Sequence, residues 1–266
     1  MRANVYFTRE ITPEKVVELY RALGVELPGK VAVKVHSGEK GNQNFLRPEF
    51  WCPMVEEVHG TIVECNTAYG DAAGGVRDHT ESHRKLLQEH GWTKYFDVDL
   101  MDAEGPDVVW PIPNGKVLKE NHVGKHILHY DSMLVLAHFK GHPMGGYGGA
   151  LKQLAIGCAS RAGKALIHSA GKTDDRFKTW EQHASSVVFP EAMADAASSV
   201  IEHFRGKIAF INVMKNLSVD CDCCAVAEDP CMKDIGILAS LDPVAIDQAC
   251  IDLVMPVSYT HLTLPT

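Results

Sequence analysis

Short apolar, β-rich runs alternate with amphipathic helical patterns along nearly the whole of this chain, and that alternation narrows the choice of folds sharply. Strand signals fall at 4–7, 30–35 (KVAVKV), 61–64, 95–98, 132–139 (SMLVLAHF), 207–213 (KIAFINV) and 235–239. Between them lie helical patterns at 12–23, 48–58, 78–90, 150–156, 190–204 and 243–253. The first helix has Thr12 as N-cap, Pro13 in its first turn, and Val16, Leu19, Tyr20 and Leu23 on one face; the last has Asp242 as N-cap. Residues 108–125, with two prolines and Asn114-Gly115, read as a β-hairpin excursion. This order predicts an α/β fold, a mostly parallel sheet flanked by helices with a small β-hairpin excursion, forming one domain over residues 1–254.

Bulk composition excludes some roles. The chain has 266 residues, 45% apolar and 23% charged, as expected of a globular protein with a sizeable core. A net charge of −8 argues against general nucleic-acid binding, which needs a basic field. No run approaches 18 apolar residues and MRANVYFTREITPEK lacks an apolar signal core, so neither a membrane partner nor export is expected and the default is cytoplasmic. Of fourteen histidines, His79, His83 and His90 sit on one charged helical run and read as surface residues. The final VSYTHLTLPT, 257–266, resembles adapter-derived sequence at the ends of translated gene fragments. It is left out of fold reasoning, and on that reading the natural chain continues beyond about Val254.

Four polar segments follow strands: HSGEKGNQN, CNTAYG, KGHPMGGYGG and the cysteine-rich stretch after Val213. Open α/β sheets bind ligands outside the carboxyl ends of their strands, so four such loops on one edge would form one site. The third is the most informative. Gly145, Gly146, Gly148 and Gly149 let the backbone approach a ligand, and the next helix aims its N-terminal N–H groups there. From His138 to Lys172 there is no acid, while Lys140, Lys152, Arg161, Lys164 and Lys172 supply positive charge, so a phosphate or carboxylate is the expected occupant. It is not a nucleotide motif: Leu151 stands where GxGxxG needs its third glycine. The alternative is a turn with close helix–sheet packing. His142, between two glycine turns, is the best histidine for proton transfer or ligation; His138 and His168 flank the region. In the first loop His36, Glu39, Asn42 and Asn44 either position a substrate or form an ordinary turn, and Glu64, Asn66 and Thr67 are weaker candidates.

The stretch VDCDCCAVAEDPC holds four of the eight cysteines in eleven residues. In a reducing cytosol that density points to metal or thiol chemistry rather than disulfides. In an extended loop Cys221 and Cys223 face the same side, which suits two thiolates on one ion, while Cys224 points the other way and Cys231 lies within reach of a folded loop. Thiolates favour zinc or an iron–sulfur centre over magnesium or calcium. A redox dithiol and an inert loop stay open as readings. Asp220, Asp222, Glu228 and Asp229 make the loop acidic, which disfavours an activated nucleophilic thiol unless a cation sits there. Cys52, Cys65, Cys158 and Cys250 read as core residues.

Taken in order, VAVKVHSGEKGNQNFLRPEF, VECNTAYG, VLAHFKGHPMGGYGGALKQLAIGCASRAGK, HSAGK, VDCDC and MKDIGILASLDPVAIDQACIDLV resemble the domain-of-unknown-function 362 family, from Met1 to about Val254. The resemblance implies a compact α/β fold and an iron–sulfur association with no defined reaction. Many members of that family carry a ferredoxin-like insert with two C-x2-C-x2-C-x3-C runs shortly after the position of His168. Here 169–190 contains no cysteine, so no ferredoxin-type cluster pair is expected. The family's Cys-Asp-Cys element matches at Cys221, Asp222 and Cys223, whereas Cys224 and Cys231 look like additions.

The combined expectation is an anionic small molecule bound at the glycine loop beside a cysteine-held metal or iron–sulfur centre, with a redox role and a redox partner protein. His142, His36 and Lys140 are the catalytic candidates. Gly145, Gly146, Gly148, Gly149, Lys152, Lys164, His168, Asn42, Asn44 and Asn66 are the anion-binding set, and Cys221, Cys223, Cys224 and Cys231 the metal set. A metal-assisted hydrolase or isomerase and a non-enzymatic metal carrier are the rival readings.

Overall fold

The computed structural model describes residues 3–70 and 74–262, with side chains to residue 255. The side chains of the 257–266 tail singled out above therefore lie outside the described residues. Seven strands form the central sheet: β1 (Val5–Thr8), β2 (Val31–Lys34), β3 (Thr61–Glu64), β4 (Val98–Leu100), β7 (Ser132–His138), β10 (Ile208–Met214) and β11 (Gly236–Ser240). Their order across the sheet is β1-β11-β10-β7-β2-β3-β4. The five strands from β10 to β4 are parallel, and β11 and β1 close one side antiparallel. The mostly parallel sheet flanked by helices is as the sequence predicts.

Two apolar layers explain why the inner strands are buried along their whole length. Ala32, Val63, Met133, Val135 and Phe210 face one core. Their neighbours Val31, Val33, Ile62, Leu134, Leu136, Ala209 and Ile211 face the other, as a side-chain period of two requires. The first core is covered by α5 (Ala150–Cys158), α6 (Arg161–His168), α7 (Val188–His203) and α8 (Pro243–Leu262). The second is covered by α1 (Pro13–Ala22), α2 (Cys52–Glu57), α3 (Thr80–Glu89) and α4 (Trp92–Tyr95). Thr12 caps α1 by accepting from Lys15 N, and Asp242 caps α8 through Val244 N and Ala245 N. Among the described residues no helix is long and apolar enough to cross a membrane.

Three local readings need correction. Residues 95–98 are not a strand: α4 ends there and β4 begins at Val98, because Trp92 is pulled into the core and its indole N–H donates to Ser37 O at 3.1 Å. The glycine segment is not all loop. It folds into a hairpin of β8 (Lys140–His142) and β9 (Gly146–Gly148), and α6 follows with Ser160 as its N-cap. His83 is not a surface residue; its side chain is 0% exposed. The expected hairpin excursion is β5 (Val108–Pro111) paired with β6 (Glu120–Val123).

Parallel pairing has one consequence for function. The loops after β2, β3, β7 and β10 leave neighbouring strands at the same edge of the sheet. All four polar segments therefore meet.

Candidate metal and anion site

The cysteine loop is anchored from below. Asp222, buried, accepts from Lys140 Nζ at 2.6 Å and lies 3.0 Å from His138 Nδ1. The other nitrogen of His138 faces Lys215 O. Burial works to raise the Asp222 carboxyl, but His138 and Lys140 outweigh it and hold it well below the ordinary range. Lys140, expected as a catalytic group, is thus committed to holding this loop. Gly141 lets β8 run against it: its N–H donates to Ser218 O, and a Cβ there would stand 2.2 Å from Val219 O.

The loop after β2 ties it down from the side. Asn42 Nδ2 donates to Cys224 O at 2.9 Å and to Cys221 O at 3.4 Å, and its Oδ1 accepts from Asn44 N and Phe45 N. Asn44 Nδ2 donates to Glu228 O, and Glu39 N to Asp222 O. Asn42 and Asn44, expected to bind substrate, position the cysteines instead. Asn66 is likewise turned away, donating to Thr80 Oγ1 and facing His83 Nδ1.

So held, Cys221, Cys223 and His142 each offer a ligand atom within 4.8 Å of the other two. His142 Nδ1 accepts from Gly145 N at 2.9 Å and Met144 N at 3.3 Å, which fixes the ring. Burial, with Lys152, His168 and Lys140 nearby, pushes its pKa down to about 2, so the ring is neutral, and an ion at Nδ1 would replace the two backbone N–H bonds. Cys221 is raised well above the usual thiol value by its hydrogen bond with Cys223 and by burial; a metal ion reverses that balance. Two thiolates and an imidazole fit a borderline ion such as zinc or iron. Neither Cys224 nor Cys231 joins the group. Cys224 is half-exposed, and Cys231 lies in a separate apolar groove with Phe139, Leu217 and Met232. Four thiolates for a cubane cluster are not assembled among the described residues.

Beside this group lies a cavity of ≈ 60 Å³ for water centres, lined by Lys34, His36, Glu64, Arg77, His142, Lys152, Lys164, His168 and Cys223 among others. That volume takes a few waters or a small oxyanion. Arg77 is paired: Nε donates to Glu39 Oε2 at 3.1 Å and Nη1 lies 3.8 Å from Glu64 Oε2. Lys34, Lys152 and Lys164 have no ion pair among the described residues, although all three are largely buried. Lys34 Nζ donates to Val35 O, Lys164 Nζ to Ala159 O at 2.6 Å, and Lys152 Nζ to Cys221 Sγ at 3.5 Å. Their counter-charges act from beyond direct contact, Glu64 on Lys34 and Asp102 with Glu64 on Lys164, and three buried lysines on one wall make a positive field.

Three further groups shape the cavity. Burial would raise Glu64, but Lys34 and Arg77 keep it well below the carboxylate range. His36 lies between the donors Gly38 N and Arg77 Nη2, and burial with Arg77 drives its pKa well below normal. Tyr69 OH bridges Glu39 Oε2 and Cys223 O, joining the cavity wall to the cysteine loop.

The glycine run does not present an open helix terminus. Asp247, from α8, accepts from Ala150 N at 2.8 Å and Leu151 N at 2.9 Å, so the N–H groups expected to face a ligand already hold the chain's own carboxylate. Gly149 makes room for it, since a Cβ there would lie 2.4 Å from Asp247 Oδ1. Gly146 and Gly148 pair with β8, and Gly145 lies against the His142 ring. Sequence reasoning missed Lys34, Arg77, Tyr69 and Gln153 on the cavity wall. Only Lys34 left a trace: a charge inside the strand run KVAVKV.

A family model described as a domain of unknown function (DUF362) matches residues 31–252. Among solved structures, the chain is similar to a Thermotoga maritima protein determined by the Northeast Structural Genomics Consortium. The TM-score is 0.52 at 13% identity, over 94% of this chain and 60% of that one. A lactate racemase apoprotein from Thermoanaerobacterium thermosaccharolyticum gives a TM-score of 0.46 at 12% identity, over 78% and 50% of the two chains. At such identities the first likeness bears on the fold alone, and the chain spans 60% of that relative's length. No curated protein matches it.

Proposed function

From a chain that belongs to the domain-of-unknown-function 362 family, whose description names no reaction, we propose a protein that binds a small oxyanion beside a single metal ion held by Cys221, Cys223 and His142. The observation that carries this reading is one juxtaposition: the three unpaired ammonium groups of Lys34, Lys152 and Lys164 share a cavity with Cys223 and His142. A phosphate- or carboxylate-sized group would give these lysines the direct ion pair that Glu64 and Asp102 supply only at longer range. The donor set, two sulfurs and one nitrogen, favours one ion with an open position over an iron–sulfur cluster. Such an ion would supply Lewis-acid polarisation of the anion.

The chain's own groups divide the remaining work. Lys34, Lys152 and Lys164 bind and orient the anion, and Lys152 also steadies the Cys221 sulfur. His36, held neutral between Gly38 N and Arg77 Nη2, orients the cavity wall, and Glu64 stays ionised between Lys34 and Arg77. This is the arrangement of a metal-assisted hydrolase or isomerase more than of an electron carrier.

The deciding experiment is metal and acid-labile sulfide analysis of protein purified without oxygen, with Cys221→Ser/Cys223→Ser as control. One equivalent of zinc or iron without sulfide, lost in the control, supports the reading. Iron with sulfide would replace it with the redox reading and its partner protein. Absence of any metal would remove the centre.

A further inference from the structure

A second group of metal-binding side chains lies at the edge of the sheet and shares no residue with the cavity. We infer that Asp99, His126 and His129 form a separate site for a divalent ion of the zinc, cobalt or nickel class. One ligand atom of each lies within 4.8 Å of those of the other two.

The local chain builds it economically. His126 and His129 belong to the 3₁₀ turn Lys125–His129, and three residues per turn place positions three apart on one face. Their rings accordingly stack, 4.9 Å between centroids at 23°. Asp99 reaches them from β4, the edge strand, and β4 is tied to the turn by His126 N donating to Met101 O at 3.0 Å. His126 Nδ1 lies 2.7 Å from Asp99 Oδ1, while Tyr130 OH donates to Asp99 Oδ2 at 2.8 Å. An ion would take the place of the proton now shared between His126 Nδ1 and Asp99 Oδ1, while Tyr130 OH keeps the carboxylate in position through Oδ2.

Access and chemistry agree with binding. The side chains of Asp99 and His126 are 21% and 18% exposed, so an ion can enter while two of the three groups stay ordered. Two imidazoles and one carboxylate suit zinc, cobalt or nickel. Magnesium and calcium prefer all-oxygen sites, and copper(I) prefers sulfur. Three protein donors leave a coordination position for water or for a group from another molecule.

The test is a Zn²⁺ titration of the Cys221→Ser/Cys223→Ser protein, followed by calorimetry, with His129→Ala or Asp99→Asn added. His129→Ala leaves the His126–Asp99–Tyr130 contacts intact, so it separates binding from folding. One equivalent of Zn²⁺ bound by the parent variant, weaker by about tenfold or more with either His129→Ala or Asp99→Asn, is expected. Unchanged affinity in the His129→Ala protein, or no binding by a folded parent variant, overturns the site. Should the cysteine variant fail to fold, Co²⁺ titration of the wild-type chain decides. A Co²⁺ equivalent that lacks thiolate charge-transfer bands and disappears with His129→Ala is expected, and its absence refutes the inference.

Discussion

Asp247 caps Ala150: a carboxylate 97 residues away in sequence accepts the first backbone N–H of α5 at 2.8 Å, and its second oxygen takes Leu151 N. Asn212 Nδ2 also donates to it, at 2.7 Å. Asp247→Ala removes the cap and orphans buried donors, so a loss of about 2–3 kcal/mol in urea unfolding is expected. The same variant tests whether the helix terminus was ever the anion site. Anion affinity should stay within about twofold if the lysine cavity holds the ligand.

Metal content discriminates among the cysteines. Cys221→Ser, Cys223→Ser and His142→Ala should each abolish stoichiometric metal by elemental analysis, because three donors are the minimum for tight binding. Cys231→Ser should retain it, since Cys231 lies in another groove. Metal loss in Cys231→Ser would mean that the loop rearranges to bring a fourth sulfur in.

Lys152→Gln removes the charge and leaves a polar side chain one atom shorter. A charge-assisted hydrogen bond is worth about 1.5–3 kcal/mol, so binding of inorganic phosphate or acetate, read by calorimetry, should weaken about tenfold or more. Lys116→Gln, an exposed residue paired with Glu191, is the matched control and should change nothing.

Asn42→Ala takes the side-chain donor from Cys224 O, leaves Cys221 O with Cys224 N alone, and frees the turn at Asn44 and Phe45. A stability loss of about 1–3 kcal/mol is expected, with faster metal release to a chelator in stopped-flow measurements. Stability loss without faster release would confine Asn42 to a folding role.

His83 makes a pH prediction. Its Nδ1 faces Asn66 Oδ1, Nε2 has no partner among the described residues, and burial pushes its pKa down to about 3. The unfolded chain takes up a proton at this residue below pH ~6.5, while the folded protein takes it up only near pH 3. Stability from this group is therefore complete above pH ~6.5 and falls by ~1.4 kcal/mol per pH unit as the pH drops towards 3. His83→Gln should flatten the stability profile between pH 6 and 4 by about one proton's worth. An unchanged slope would place the proton elsewhere.

Alternating strands and helices, the Thr12 and Asp242 caps, the hairpin at 108–125 and the gathering of four polar loops at one sheet edge were all written locally in the sequence, because hydrophobic period and cap chemistry act over a few residues. Cys221 and Cys223 do lie close together, but in a turn that Cys224 N closes onto Cys221 O, not in the extended loop the sequence suggested. What only the tertiary structure decided is which side chains the loops present and which they spend on each other. Lys140 and Asn42 look in sequence like ligand-binding residues, yet packing commits them to the cysteine loop. Lys34, Lys152 and Lys164 come from a strand and two helices and meet at one cavity only because the sheet and the helices α5 and α6 stack there. Asp247 reaches the terminus of α5 for the same reason. Ion pairing and burial act through space at a few ångströms, between residues many tens of positions apart, and no local pattern records them.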